Sequence, residues 1–364
     1  MSPGSFTFRR RVVRWIKRGT LAAAVVLLVF AVATPMGRYL ARAGWAEARI
    51  LWRRHPIAAM AADPATDPAT RAKLGLVLAA RGFAADSLHL DARESFTTYS
   101  ALDHDTLVLV VSAAYRDTLA FHTWWFPIVG RVPYKGYFRA ADALAEAASL
   151  SGAGYDTIVR PASAFSTLGW FNDPLLSTTL AEDSASLANT VIHELLHNTF
   201  YAPGSSAFNE SFANFVGSRG AERFFMERGD STNAARERLD WEREKFLGRF
   251  WSGVYHAVDS AFKAHPGDRA ARLAARDTVF ARTRIYFERE VKPNVPGLPP
   301  GAPLSLRLDN VTVMSRRLYR TGLDDFDAVY AREGNDLNRA IVRIIELAKS
   351  RPEDPFGAVR DSQR

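Results

Sequence analysis

The chain has 364 residues, of which 48% are hydrophobic and 12% aromatic, and it contains no cysteine. The apolar fraction supports a packed core, and the composition excludes a disordered chain, a collagen-like repeat and a multi-pass membrane protein. The lack of cysteine excludes disulfides, thiolate metal sites, a cysteine nucleophile and a lipidated cysteine anchor.

The formal net charge of +8 comes almost entirely from the N-terminal segment. Residues 1–38 contain seven basic and no acidic side chains, whereas residues 39–364 contain 40 basic and 39 acidic ones. A nucleic-acid-binding body would need a basic stripe of its own. The sequence therefore predicts no nucleic-acid partner.

An uncharged segment, residues 19–37, lies between Arg18 and Arg38. As a helix it would span roughly 28 Å, which is just enough for the core of a bilayer. Because six basic residues precede it, residues 1–18 are predicted to stay in the cytoplasm and residues 38–364 to be exported. The segment is thus predicted to be a single transmembrane anchor.

A cleaved signal peptide is the alternative interpretation of the same segment. Ala31-Val32-Ala33 has the small-x-small form of a cleavage site, and the most apolar run is short. Either interpretation places the remainder of the chain outside the cytoplasm.

The patterns that follow predict one α+β domain over residues 38–364, in which helices dominate the second half. Helical patterns cover residues 38–54, 69–88 and 139–151, and Val132–Phe138 is predicted to be a turn rich in aromatic residues. Short apolar or β-branched runs predict strands at Thr106–Ala113, Ala120–Val129, Tyr155–Arg160 and Leu175–Leu180. From Ser186 onward the pattern is helical, with breaks at Pro203-Gly204, near Gly229 and at His265–Gly267.

The sequence His193-Glu194-Leu195-Leu196-His197 matches the H-E-x-x-H motif. Histidines four residues apart project from the same face of a helix, so both imidazoles can reach one cation. Glu194 points about 100° away from His193 and can touch a water at that metal without being a ligand. Ser184 or Ser186 is predicted to cap this helix. The alternative is a helix with two solvated or core histidines.

A catalytic zinc site needs a third protein ligand, and Glu210 is the candidate. The chain turns at Pro203-Gly204, and Ser205 or Ser206 can cap a second helix that carries Glu210 in its first turns. Two histidines and one glutamate form the gluzincin ligand pattern, although only 12 residues separate His197 from Glu210. The alternative is a first-turn glutamate that the helix dipole favours.

Substrate binding and oxyanion stabilisation have weaker candidates. The strand Leu175–Leu180 could pair with an extended peptide, and Ser166–Pro174 would form the rim of the groove, or a plain aromatic turn. Tyr201 and Tyr319 are candidate donors to the developing oxyanion, and packing is the alternative role for each.

The chain resembles the bacterial predicted zinc aminopeptidases, which are membrane-associated proteins of similar length. The resemblance rests on RRHPIAAMAADPAT (53–66), WWFPIVGRVPYKGYF (124–138), FSTLGWFNDPLLSTTL (165–180), VIHELLHNTFY (191–201), FNESFANFVG (208–217) and, more weakly, LDNVTVMSRRLY (308–319). It implies a zincin-like metallopeptidase with one Zn²⁺ on His193, His197 and Glu210, and with Glu194 as the catalytic base. It also implies that the short spacing between the histidines and Glu210 is an expected feature.

The chain departs from these relatives outside the metal site. Many of them carry a lipoprotein-type cysteine and a cysteine pair around the F-P-x-x-G turn, where this chain has Trp125 and Arg131. A lipid anchor and that local disulfide are therefore excluded here.

The sequence thus predicts a zinc peptidase, most simply an aminopeptidase, that acts on peptides from the periplasmic side of the bacterial inner membrane. With a cleaved signal it would be secreted to the periplasm instead. A zinc endopeptidase and a catalytically silent, zinc-stabilised binding protein at the membrane are the two alternatives.

Overall fold

A computed structural model describes residues 4–102, 108–126, 130–162 and 174–363, without the side chains of residues 4–14, 16, 23, 24 and 27. The chain forms two compact units, residues 1–54 and residues 55–364.

The first unit contains two helices, α1 (Gly4–Ala33) and α2 (Pro35–Trp52). The helix predicted for residues 38–54 does not continue directly from the preceding segment, because the helical conformation is interrupted at Thr34. There the Thr34 hydroxyl accepts a hydrogen bond from the Gly37 amide at 2.9 Å, and Pro35 occupies the first helical position. A proline is favoured there because its missing N–H would have no intrahelical partner.

Within the described residues, no helix combines the length and the apolar character that crossing a membrane requires. The anchor over residues 19–37 and its cleaved alternative both stay predictions.

The second unit contains small sheets and many helices, as the α+β prediction requires. Its strands are β1 (His55–Pro56), β2 (Thr98–Ser100), β3 (Val108–Tyr115), β4 (Trp124–Phe126), β5 (Gly130–Val132), β6 (Lys135–Tyr137), β7 (Tyr155–Ala162) and β8 (Leu175–Leu176). Its helices are α3 (Ile57–Ala62), α4 (Pro68–Asp86), α5 (Ala140–Gly152), α6 (Ser177–Leu180), α7 (Ser184–Thr199), α8 (Ser206–Glu227), α9 (Ser231–Lys263), α10 (Arg269–Tyr286), α11 (Asn310–Leu318), α12 (Leu323–Arg332), α13 (Leu337–Ser350) and α14 (Pro355–Asp361). A π-helical turn at Phe287–Val291 and a 3₁₀ turn at Lys292–Asn294 extend α10.

The strands form three groups. In the first, β2 pairs antiparallel with β1 and parallel with β8. In the second, β3 lies between β6 and β7 and is antiparallel to both, with Val111 opposite Val159. In the third, β4 and β5 form an antiparallel pair.

Two predicted strands are shorter in the structure. The prediction of a strand over Leu175–Leu180 is wrong beyond Leu176, because helix α6 begins at Ser177. There the Ser177 hydroxyl accepts a hydrogen bond from the Leu102 amide at 3.0 Å. Within Ala120–Val129, the described strand is β4, and Phe121 adds an isolated bridge to Ala114. Residues 106–107, 127–129 and the predicted rim from Ser166 to Asp173 lie outside the described residues.

Helices α7 and α8 lie inside the largest core. Phe208, Phe212 and Phe215 of α8 are fully buried and pack in tilted or edge-on contacts with Phe326 of α12. The same core holds the buried apolar residues of α4 and α7. The helix that carries the H-E-x-x-H motif is therefore fixed along most of its length by packing.

Candidate metal centre

Helix α7 begins at a carboxylate cap. Asp183 accepts hydrogen bonds from the amides of Ala185 and Ser186 at 3.1 and 3.2 Å. The prediction of a Ser184 or Ser186 cap is therefore wrong, because the aspartate one residue earlier is a stronger acceptor and its charge suits the N-terminus of a helix. Although burial opposes it, these bonds and Arg236 lower the pKa of Asp183.

The apolar positions of α7 fix which way the motif faces. Val191, Ile192, Leu195 and Leu196 are buried in the core. His193, Glu194 and His197 are only partly buried and occupy the remaining surface of the helix. The motif thus lies on the side of α7 that faces away from the core, and a substrate could reach it from that side.

A short connection leads from α7 to α8, and Asn209 closes it. Gly204 adopts a left-handed conformation with φ of +78° in the turn. Ser205 occupies the cap position of α8, as one of the two predicted alternatives, but its side chain makes no capping hydrogen bond. Instead, the buried Asn209 side chain accepts from the Ala202 amide at 2.8 Å and donates to the Ala202 carbonyl at 2.9 Å.

Helices α7 and α8 approach each other closely at Gly217. A Cβ atom at this position would lie 2.5 Å from Asn189 Oδ1 and 3.1 Å from His193 Cβ. The absence of a side chain at Gly217 therefore allows the metal-facing histidine and α8 to pack together.

This packing brings His193, His197 and Glu210 together. The two Nε2 atoms are 3.3 Å apart, and they lie 3.6 and 3.9 Å from the two Glu210 carboxylate oxygens. Ligand atoms at 2.0–2.1 Å from a tetrahedral zinc ion are separated by about 3.4 Å. The donor set and its spacing therefore fit zinc, and no other trio of His, Asp or Glu donors among the described residues comes within 4.8 Å.

Burial and mutual contact set the protonation of this trio. Burial and the neighbouring His193 lower the pKa of His197 to about 4, so its imidazole is neutral at pH 7. Burial would lower the pKa of His193 too, but the carboxylates of Glu210 and Glu194 raise it overall. Although burial opposes it, the two histidines and Arg160 lower the pKa of Glu210. A neutral imidazole and an ionised carboxylate are the forms that bind a metal.

The two predicted tyrosines lie in different environments. Tyr319 follows α11 and is partly buried, and its backbone carbonyl accepts a hydrogen bond from Asn214 Nδ2 at 3.2 Å. Burial and the carboxylates of Glu210 and Glu194 raise the pKa of Tyr319 to about 12, so its hydroxyl keeps its proton. The side chain of Tyr201 is 58% exposed at the start of the connection to α8.

Sequence reasoning missed Arg160 and Tyr134. The Arg160 guanidinium, from β7, acts electrostatically on both the Tyr319 hydroxyl and Glu210 and favours their ionised forms. Burial, together with Glu210 and Tyr201, raises the pKa of Tyr134. The one available signal for Arg160 was its position at the end of the predicted strand Tyr155–Arg160, after three uncharged residues.

Comparison with known protein families gives a match over most of the chain. The model of a family described as "Putative aminopeptidase" matches residues 38–355, which is most of the chain. Neither a curated protein nor a solved structure matches the sequence or the fold.

Proposed function

The chain belongs to this aminopeptidase family, and on that premise we propose that it is a zinc-dependent aminopeptidase with a zincin-like catalytic domain. The observation that carries the proposal is the convergence of His193, His197 and Glu210 at the separations of zinc ligands. These three side chains would hold the ion, and the chemistry of the set, two imidazoles and one carboxylate, is that of catalytic zinc sites.

When bound, zinc supplies a Lewis acid that makes a water more acidic and polarises a peptide carbonyl. Glu194 would act on that water: it follows His193 directly, shares the partly buried surface of α7 and raises the pKa of His193. Its carboxylate takes a proton from the attacking water and later delivers it to the leaving amine.

Tyr319 is the proposed donor to the developing oxyanion. Its hydroxyl is protonated at neutral pH and lies within electrostatic reach of both Glu194 and Glu210. Arg160 acts on the same hydroxyl, because its positive charge partly offsets the burial that raises the pKa of Tyr319. Tyr201, being mostly exposed, is the weaker of the two candidates.

Glu194→Gln tests the peptidase chemistry. The substitution keeps the size of the side chain and removes the base, so we expect the zinc content to stay the same and kcat to fall by about 10²–10⁴-fold, the range for general acid–base catalysis. Full activity in this variant contradicts the mechanism. Bound zinc with no turnover of any peptide in the unmodified chain would favour the zinc-stabilised binding protein instead.

Blocking the substrate's N-terminus separates exopeptidase from endopeptidase activity. An aminopeptidase must bind the free α-amine, so it should cleave a peptide amide and fail on the Nα-acetylated form of the same peptide. Equal rates on both forms would identify a zinc endopeptidase.

We further propose that residues 19–37 anchor the chain in the bacterial inner membrane, with the catalytic unit on the periplasmic side. The basic residues before the segment support this orientation. Described apolar side chains of α1 are more than half exposed, as a lipid-facing helix requires: Leu21, Val25, Val26, Leu28, Val29 and Val32. Fractionation with intact-mass measurement tests the proposal: full-length protein in the membrane supports it, a periplasmic form shortened after Ala33 identifies the cleaved signal, and full-length protein in the cytosol contradicts both.

A further inference from the structure

A polar cavity of about 440 Å³, widely open to solvent, lies between α7, α8 and α9. All of its lining residues are polar, and four are acidic: Glu182, Glu237, Asp240 and Glu244. The remainder are serine, threonine and asparagine side chains. A cavity of this size with several convergent polar groups is within the range of small-ligand sites.

The acidic side chains of the cavity differ in how their charge is balanced. Glu244 pairs with Arg320 at 2.7 Å, and Asp240 pairs with Arg243 at 2.5 Å. Glu237, only 2% exposed, accepts a hydrogen bond from Asn189 Nδ2 at 2.7 Å and forms no ion pair with any described residue. A carboxylate has about four acceptor positions, so most of the capacity of Glu237 is unused.

Burying a carboxyl group without a cation is costly. Burial raises the pKa of Glu237 to about 8, and Asp240 and Asp183 add to the effect. A positively charged ligand in the cavity would offset this cost.

The cavity adjoins the metal centre along two helices. On α7, its lining residues Asn189 and Thr190 lie one turn before His193 and Glu194. On α8, Asn214 lies one turn after Glu210. Glu182, whose carboxylate accepts a hydrogen bond from the Thr190 hydroxyl at 2.9 Å, is close enough to Glu194 for their charges to interact. One helical turn is about 5.4 Å, which is comparable to the reach of one amino-acid side chain.

The acidic side chains do not form a second metal site. Within the described part of the chain, the only His, Asp and Glu donors that come together within 4.8 Å in a group of three are those of the metal centre. Carboxylates spread around a cavity, and not converging on a point, suit an organic cation of larger size.

We propose that this cavity binds the positively charged group of the substrate's N-terminal residue, and that Glu237 and Glu182 determine this specificity. The inference rests on the proposed peptidase function and deepens it by naming the substrate class. An ammonium or guanidinium group would pair with Glu237 while the scissile carbonyl lies at the metal centre. Acidic N-terminal residues would be rejected by the same carboxylates.

Binding of four small amides tests the inference without relying on turnover. Calorimetry on the full-length Glu194→Gln protein would compare lysinamide, norleucinamide, Nα-acetyllysinamide and Nα-acetylnorleucinamide. We expect lysinamide to bind at least tenfold more tightly than Nα-acetylnorleucinamide, which carries no positive charge. Tight binding of norleucinamide would assign the cavity to the α-amine, and tight binding of Nα-acetyllysinamide would assign it to a basic side chain; either result supports the inference.

Three substitutions locate the effect. Glu237→Gln and Glu182→Gln, each added to the same protein, should weaken lysinamide binding at least fivefold and leave binding of Nα-acetylnorleucinamide unchanged. Glu242→Gln is the matched control, because Glu242 lies on α9, pairs with Lys245 at 2.8 Å and does not line the cavity. The inference is overturned if the uncharged amide binds as tightly as lysinamide, or if both cavity variants behave like the control.

The proposed function can fail separately. A protein that binds lysinamide through Glu237 but hydrolyses no peptide, in its unmodified form, would retain the cation site and lose the peptidase assignment. Equal hydrolysis of peptides with charged and with uncharged N-terminal side chains, unaffected by the cavity substitutions, would support the peptidase assignment and contradict the cation site.

Discussion

The side-chain amide of Asn209 holds the backbone of Ala202 from both sides, accepting from its N–H at 2.8 Å and donating to its carbonyl at 2.9 Å. These bonds close the turn between the two helices, and the next residue along the chain is Glu210. This pair of hydrogen bonds between Asn209 and Ala202 therefore explains how Glu210 reaches the two histidines although only 12 residues separate it from His197.

Asn209→Ala should destabilise the protein and weaken metal binding together. The substitution leaves a buried N–H and a buried carbonyl of Ala202 without partners, which costs about 2–4 kcal/mol. Urea denaturation would measure the loss, and competition with a zinc chelator would measure affinity. Ser205→Ala is the control, because that side chain makes no capping hydrogen bond. Equal effects of both substitutions would contradict the proposed role of the Asn209–Ala202 hydrogen bonds.

Gly217→Ala should force α7 and α8 apart. Its new methyl group would lie 2.5 Å from Asn189 Oδ1 and 3.1 Å from His193 Cβ, so the Asn189 side chain must shift and the two helices must separate by a few tenths of an ångström. Overpacking of this kind costs about 1–3 kcal/mol, and we expect zinc affinity to fall with stability.

Gly253→Ala in α9 is the comparison for Gly217→Ala. No atom lies within 4 Å of the added Cβ, so this change should raise stability by about 0.5–1 kcal/mol through helix propensity. If Gly217→Ala also proved stabilising, the close approach at His193 would be contradicted.

Tyr319→Phe should lower kcat and leave KM and zinc content nearly unchanged. Losing one donor to an oxyanion typically costs about 10²–10³-fold in kcat. Tyr201→Phe should change kcat by less than about threefold, because the Tyr201 side chain is 58% exposed. Steady-state kinetics on a single peptide amide compares the two, and a larger loss in the Tyr201 variant would reverse the assignment.

The stability of the protein should fall with rising pH because of Glu237. Its pKa of about 8 in the folded state exceeds the ordinary value of 4.5, so the folded state holds a proton that the unfolded state has lost between these pH values. The contribution of Glu237 to the free energy of unfolding is therefore complete below pH 4.5 and is lost as the pH rises toward 8. The loss is on the order of a few kcal/mol. Asn189, Asp240, Asp183 and Arg236 are the groups that act on this carboxyl.

Glu237→Gln removes this titration. Its stability relative to the unmodified protein should rise steadily from pH 5 to pH 8, as measured by urea denaturation of the metal-free proteins. The Glu242→Gln control should show no such trend. A difference between Glu237→Gln and the unmodified protein that does not change with pH would show that Glu237 titrates normally.

Local sequence patterns predicted the elements that carry the metal-facing residues. The i, i+4 spacing of His193 and His197 and the break at Pro203-Gly204 place two helices where the structure has α7 and α8. Errors arose where a neighbouring side chain offered a better local partner. Asp183 displaced the predicted serine cap, and the hydroxyl of Ser177 ended the strand after Leu176.

Contacts between distant residues could not be predicted from one sequence. Arg160 acts electrostatically on Tyr319 from a strand 159 residues earlier in the chain, and Glu237 accepts a hydrogen bond from Asn189 although it lies on a helix 48 residues later. No periodicity relates such residues, because tertiary packing alone brings them together. The role of Gly217 was equally hidden, since a helical glycine matters only when another helix lies against it.

Zinc binding at equilibrium tests directly whether His193, His197 and Glu210 hold a metal ion. Full-length protein stripped of metal would be titrated with zinc against a chelator of known affinity, in the unmodified form and in the Glu194→Gln and Glu210→Gln variants. We expect one zinc per chain, unchanged zinc affinity in Glu194→Gln and a loss of affinity of at least about 10-fold in Glu210→Gln. No stoichiometric zinc in the unmodified protein, or full affinity in Glu210→Gln, would contradict this expectation.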